Sequence, residues 1–476
     1  MKTEQNSVKN NFIYNTIYQL FLIIMPLLTA PYISRVMGSE GLGTYSFVYS
    51  IANYFVLFAM LGISNYGTRI VAINRDNKTK LSRAFSEVYF LQFLNTSIIG
   101  IIYFTYVYVF IEFDPLIYYI QGILVISTLL DINWLYFGLE EFKLVTIRNI
   151  VIKCLTFISI FIFVHSREDL WKYSLIMSLG VLISQLILWH YIKGKIKLCK
   201  PNFSEIKKHI KPIFILFIPV IAYSVYKIMD KIMLGSMSTM NEVGVYDAAL
   251  NILNIPMGIV IALGTVMMPR ISNLVSKNEK ATEYRYLEIS FLTITAIASS
   301  ISFGLASISL DLMPLYLGME FEKSGELLII LAPTTLFIAW SSIIRNQYLI
   351  PHKCDNIYII STVAGAVLNF CLNLLLIPIM QSYGAAIGTL VAEATVLLIQ
   401  LFLTRKIVNF TKMIFKNFIF LLFGLIMFAI LTLFINVYSG TILGVAFQII
   451  VGATIYIVLF LLYWKLLNPL KKWGVK

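Results

Sequence analysis

Apolar residues fall in stretches of about 20 separated by short polar segments, and this spacing recurs along the whole chain. A hydrocarbon core of roughly 30 Å takes about 20 helical residues at a rise of 1.5 Å each, so each stretch predicts a transmembrane α-helix. Fourteen are found, at approximately 11–33, 43–64, 85–108, 115–137, 147–164, 170–192, 212–235, 245–268, 287–310, 326–348, 357–379, 383–404, 414–436 and 441–464. The expected fold class is an all-α polytopic membrane protein. The first stretch exceeds the 7 to 15 residues of a signal-peptide core and lacks a small-residue cleavage site, so it is read as a retained span.

The polar segments alternate in charge. With the N-terminus inside, inner segments hold 30 of the 37 Lys and Arg residues, and outer loops hold four: Arg35, Arg167, Lys172 and Lys323. The other three, Lys153, Lys227 and Lys231, lie within spans. Positive charge is retained on the cytoplasmic side, which predicts that both termini are cytoplasmic. The largest basic block, Lys193 to Lys211, separates spans six and seven and reads as the hinge between two six-span halves, 1–200 and 201–405, with 406–476 adding two further spans. An echo supports the halves: Val36-Met37-Gly38-Ser39 then Leu42-Gly43-Thr44-Tyr45 follows span one, and Met233-Leu234-Gly235-Ser236 then Val243-Gly244-Val245-Tyr246 follows span seven. Six spans apart means the same orientation, the parallel-repeat arrangement of several transporters.

Composition agrees with the pattern. Of 476 residues 59% are hydrophobic and only 13% charged, with mean hydropathy +0.83, against about 25% charged in soluble proteins. The net charge of +13 is spread in short blocks rather than on one basic face interleaved with aromatics, which excludes nucleic acid as a partner. Cys154, Cys199, Cys354 and Cys371, and the scattered His165, His190, His209 and His352, show no disulfide or metal-ligand spacing, so neither metal nor cofactor is implied. Outer loops are short and mildly acidic, which leaves any activity inside the membrane.

The informative charges sit in span seven. Pro212 to Gly235 is apolar enough to cross a bilayer yet carries Lys227, Asp230 and Lys231, spaced so that the three share one face. An ionised group facing lipid costs about 2.5 to 3.5 kcal/mol on insertion scales, so such residues face a bundle interior or a watery cavity. Two readings fit: a local ion pair with one lysine snorkelling outward, or a cationic cavity wall for an anionic substrate. In span twelve Glu393 reads as a structural pair or an ion-coupling group. Asn369 and Asn373, one turn apart in span eleven, read as helix–helix contacts, and Asp131 and Arg345, near inner span ends, read as structural.

Three stretches carry a resemblance: PLLTAPYISRVMGSEGLGTYSFVYSIANYF from Pro26, SVYKIMDKIMLGSMSTMNEVGVYDAALNILNIPMGIVIALGTVMMPRIS from Ser224, and LNFCLNLLLIPIMQSYGAAIGTLVAE from Leu368. The chain resembles Wzx-type flippases for lipid-linked polysaccharide repeat units, in the multidrug/oligosaccharidyl-lipid/polysaccharide export superfamily. The resemblance implies two six-helix lobes in a MATE-like V around a central cavity, plus two C-terminal helices. It implies a bacterial cytoplasmic membrane, an undecaprenyl-pyrophosphate-linked oligosaccharide as substrate, and translocation from inner to outer leaflet. The polysaccharide polymerase and glycosyltransferases of the same pathway become expected partners. Carried over residue by residue, it points to Lys227, Lys231 and Arg35 as cationic cavity residues, to Asp247 and Asn251 as further lining, and leaves Asp230 and Glu393 as ion-coupling or charge-pair candidates.

A proton- or sodium-coupled drug exporter of the same superfamily is the nearest competing reading, with Glu393 or Asp230 as coupling acid; the basic face of span seven repels cationic drugs. A membrane-embedded polymerase or glycosyltransferase would need clustered acids or a long loop near an interface, which the sequence lacks. The expectation is a transporter, not an enzyme.

Overall fold

The computed structural model describes residues 2–112, 114–434 and 440–467, excepting the side chains of 2–24, 203, 219, 222–223, 225–227, 262, 265–266, 434 and 467. Among these the regular elements are all helical, as a bilayer requires of any chain that is not a closed barrel. Among the described residues ten helices are long and apolar enough to cross a membrane, or up to twelve if two bent pairs each count as one span. That is fewer than the fourteen expected. Runs 11–33 and 43–64 are joined in one helical element, and the run 212–235 lies partly outside the described side chains.

The chain divides into two compact units, Met1–Ile228 and Met229–Lys476. The first contains α1 (Lys2–Met60), α2 (Ile63–Asn74), α3 (Lys78–Phe110), α4 (Pro115–Ser127), α5 (Asn133–Gly138), α6 (Phe142–Phe163) and α7 (Leu170–His190). At 59 residues α1 is about 88 Å of helix, and it breaks at Gly38, where φ is 69° and ψ is 177°. That conformation is essentially open to glycine alone. The core of this unit gathers around Trp134, whose ring stacks on Phe85 at 5.2 Å and whose Nε1 donates to Gln92 Oε1 at 2.9 Å. Gln92 in turn donates to the carbonyls of Thr128 and Asp131, the peptide groups freed where the helix breaks between α4 and α5.

The helix α8 (Phe203–Met237) starts in the first unit. The basic segment before it is held to α3, because the Lys197 and Cys199 amides donate to Ser82 and Ser86 and Lys195 pairs with Glu141. The unit boundary falls further on, after Ile228. His209 is buried between Tyr66, at 2.5 Å, and Glu87, at 3.1 Å, which gives an isolated histidine of the sequence a structural setting.

The second unit comprises α9 (Met240–Ser276), α10 (Lys280–Leu317), α11 (Glu322–Leu331), α12 (Thr334–Ile344), α13 (Asp355–Met380), α14 (Ser382–Thr404), α15 (Phe410–Lys416), α16 (Ile419–Phe434) and α17 (Ile442–Leu467). The pair around α11 and α12 bends by 46° next to Pro333, where proline removes a donor and crowds the preceding turn. A buried carboxylate pins each of two places. Glu242 accepts two bonds from Lys323 Nζ at 2.7 Å and one from the Ser382 amide, and Glu283 meets His352 at 2.7 Å. The core runs along α9, α10 and α12 through Phe291, Ile294, Ile343 and Trp340, whose Nε1 donates to Thr295.

Candidate functional site

The part of α8 that belongs to the second unit meets α9, α13 and α14 through polar side chains. Asp230 is 4% exposed, and its carboxylate accepts from Tyr246 Oη at 2.8 Å, Thr389 Oγ1 at 2.7 Å and Asn373 Nδ2 at 2.6 Å. All three donors are neutral. Burying a carboxylate costs several kcal/mol unless charge is offset nearby, so these bonds orient the group without cancelling its charge. The Asn373 Oδ1 is buried and accepts no hydrogen bond among the described residues. Space for this amide is left by Gly388, where a Cβ would stand 2.3 Å from that same oxygen. Asp230, Thr389 and Asn373 thus form an oxygen-rich nest beneath the surface of the helix bundle.

Lys231, the next residue, lies about 100° further round the helix and pairs with Asp247 of α9. The other Asp247 oxygen accepts from Asn251 Nδ2 at 3.2 Å, one turn along the same helix. Three residues expected from sequence, Lys231, Asp247 and Asn251, are therefore brought into one chain, with Asn251 exposed and the ion pair half-buried. Asp230 is not the partner of Lys231. The Lys227 side chain lies outside the described residues, so the expected face is seen at Asp230 and Lys231 only. Arg35 is exposed on α1 in the first unit, and Glu393 is 6% exposed on α14, one turn beyond Thr389.

Sequence reasoning passed over a second polar region, in the first unit. A cavity of about 540 Å³ is walled by α1, α5, α6 and α7, with Arg148 and Lys153 of α6 on its lining. Arg148 donates to Asn133 Oδ1 at 2.9 Å, to Asn149 Oδ1 at 2.7 Å and to the Ser184 carbonyl at 3.1 Å. Asp131 turns its Oδ1 to the Asn133 backbone amide at 2.9 Å, capping the start of α5, which is the structural role expected of it. Lys153 had a readable signal, since a lysine midway along an apolar run calls for a cavity. Thr389 and Tyr246 had none: their hydroxyls are too common in membrane helices to stand out.

Residues 8–275 match the family model described as polysaccharide biosynthesis protein. A protein of Escherichia coli (strain K12) named "Putative O-antigen transporter" is 25% identical over 411 residues, covering 85% of this chain and 99% of that protein. Among solved structures, the lipid II flippase MurJ in an inward closed conformation superposes with a TM-score of 0.77 at 14% identity, over 96% of this chain and 99% of its own. An inward-facing multidrug resistance MATE family transporter superposes with a TM-score of 0.57 at 13% identity, over 82% and 94%.

Proposed function

Because the chain belongs to the polysaccharide biosynthesis protein family, we propose that it is a flippase that carries lipid-linked oligosaccharides, with an undecaprenyl-pyrophosphate anchor, from the inner to the outer leaflet by alternating access. The observation that carries the proposal is the Lys231–Asp247 ion pair, two opposite charges held half-buried between α8 and α9. A glycan on a pyrophosphate is a large polar anion, and hydrocarbon refuses it unless a polar, cationic passage is provided. Lys231 offers a point charge with three donors that tolerates a sliding ligand. Asp247 holds that charge until a more highly charged anion displaces it, and Asn251 lies beside the pair for hydroxyl contacts. Lys227 and Arg35 are further cationic contacts for the head group in this reading.

Asp230 takes a different role. A buried carboxylate ringed by neutral oxygens, with an unused amide oxygen beside it, suits a proton or a small hard cation that prefers oxygen ligands. Asp230 is accordingly the coupling group, and Glu393 a second candidate on the same side of α14 as Thr389. Coupling of this kind also fits an exporter of small molecules; the family match and the O-antigen transporter relative favour the lipid-linked glycan.

Charge at position 231 tests the proposal. Export of surface polysaccharide, normalised to membrane-inserted protein, should be largely kept by Lys231→Arg, fall about tenfold or more in Lys231→Gln and fall furthest in Lys231→Glu. The double variant Lys231→Gln with Asp247→Asn removes the pair without leaving a lone charge. Recovery of full export by this double variant would show the pair to be structural and remove Lys231 from the substrate path.

A further inference from the structure

Lys153 lies near the middle of α6, a 22-residue helix apolar enough to cross the membrane. Among the described residues its ammonium has no hydrogen bond and no ion pair, and no carboxylate acts on it. An unpartnered lysine at that depth must face water or a ligand, and it lines the 540 Å³ cavity of the first unit. The neighbouring Arg148 is different: 6% exposed, fixed by Asn133, Asn149 and the Ser184 carbonyl, and linked through Asn133 to Asp131. By formal charge, the described side chains on the cavity wall, Asp131, Arg148 and Lys153, sum to one positive charge, and Lys153 is the one of them without a hydrogen-bond partner among the described residues.

The rest of the wall narrows the class of ligand. The amides of Asn133, Asn149 and Gln185 and the hydroxyls of Thr29 and Thr156 stand around the cavity with the rings of Phe137, Phe157 and Tyr173. Donors and acceptors together with flat apolar faces match a molecule whose hydroxyls alternate with C–H patches, and the volume falls within the range of small-ligand sites, about 300–1,000 Å³. We propose that this cavity binds a monoanionic, hydroxyl-rich group, such as an acidic sugar or a glycerol phosphate head group, with Lys153 holding the anion and the amides holding the hydroxyls. One excess positive charge fits one negative charge, which separates this ligand from a pyrophosphate. The inference stands apart from translocation, because binding is measured on the purified protein without transport.

The test uses the full chain in phosphatidylcholine nanodiscs. Glucuronate should bind about tenfold more tightly than glucose, read by saturation-transfer NMR with competition. Lys153→Gln should lower glucuronate affinity about tenfold, and Lys153→Arg should stay within about threefold of the parent. Native mass spectrometry on nanodiscs that also contain phosphatidylglycerol supplies the second arm. Retention of phosphatidylglycerol that depends on Lys153, without glucuronate binding, assigns the site to the lipid head group. Glucuronate binding that depends on Lys153, without lipid retention, assigns it to an acidic sugar, and both together show a site shared by the two. Lys153→Met gives the same comparison should Lys153→Gln not be recovered folded. Equal affinity for glucose and glucuronate in the unaltered protein, with phosphatidylglycerol held no better than phosphatidylcholine, would overturn the proposal, as would binding that is indifferent to both Lys153 variants.

Discussion

At the scale of single residues, Asp230 shows how an ionisable group can be positioned by neutral donors. Its three donors face a carboxylate, so Asp230→Asn places an amide against donors and forfeits bonds worth about 1–3 kcal/mol in a buried setting. If the group binds a coupling cation, the melting temperature of the purified protein should rise with cation concentration through mass action, whether that cation is sodium or, on lowering pH, the proton. Asp230→Asn should melt lower and lose the rise. A variant whose melting responds to both cations as the parent does would remove Asp230 from coupling. The sequence showed that residues 227, 230 and 231 share a face, because helical spacing is a local property. It could not show that Lys231 turns to Asp247 while Asp230 turns to Thr389, 159 positions away, since such bonds depend on how helices pack. The reading of Asn373 as a helix–helix contact was legible, and its unused oxygen was not.

At the scale of elements, the positions of most helices followed from apolar length alone, and their breaks did not. Proline favours a bend in a helix, yet Pro26 and Pro31 both lie inside the helical run and the described break in α1 is at Gly38. Nothing in the string Met37-Gly38-Ser39-Glu40-Gly41 distinguishes the first glycine from the second without backbone angles. Gly38→Ala forces a side chain into a conformation costing about 1–3 kcal/mol and should lower both thermal stability and export. Gly100→Ala on α3, where an added Cβ meets nothing within 4 Å, should be neutral or stabilising by about 0.4–1 kcal/mol. Thermal unfolding of both proteins in one detergent makes the comparison; equal melting temperatures would show that the Gly38 backbone relaxes freely.

At the scale of the whole molecule, membrane character and family were the most legible features, because hydropathy and charge asymmetry are summed over hundreds of residues. The resemblance to Wzx-type flippases agrees with the family match over residues 8–275 and with the shared fold of MurJ. Orientation is open to direct measurement. With the four native cysteines replaced, a cysteine at Lys200 should resist an impermeant thiol reagent in intact cells, and one at Glu320 should react, as basic inner loops require. The reverse pattern would invert the topology. The tight seam between α13 and α14 bears on how such a protein changes over generations. Since a Cβ at Gly388 would stand 2.3 Å from the amide oxygen of the residue that donates to Asp230, positions 373 and 388 are coupled in what they tolerate. A lineage that enlarges residue 388 must move the asparagine opposite it, and with that amide one of the three bonds that hold the Asp230 carboxylate beneath the surface.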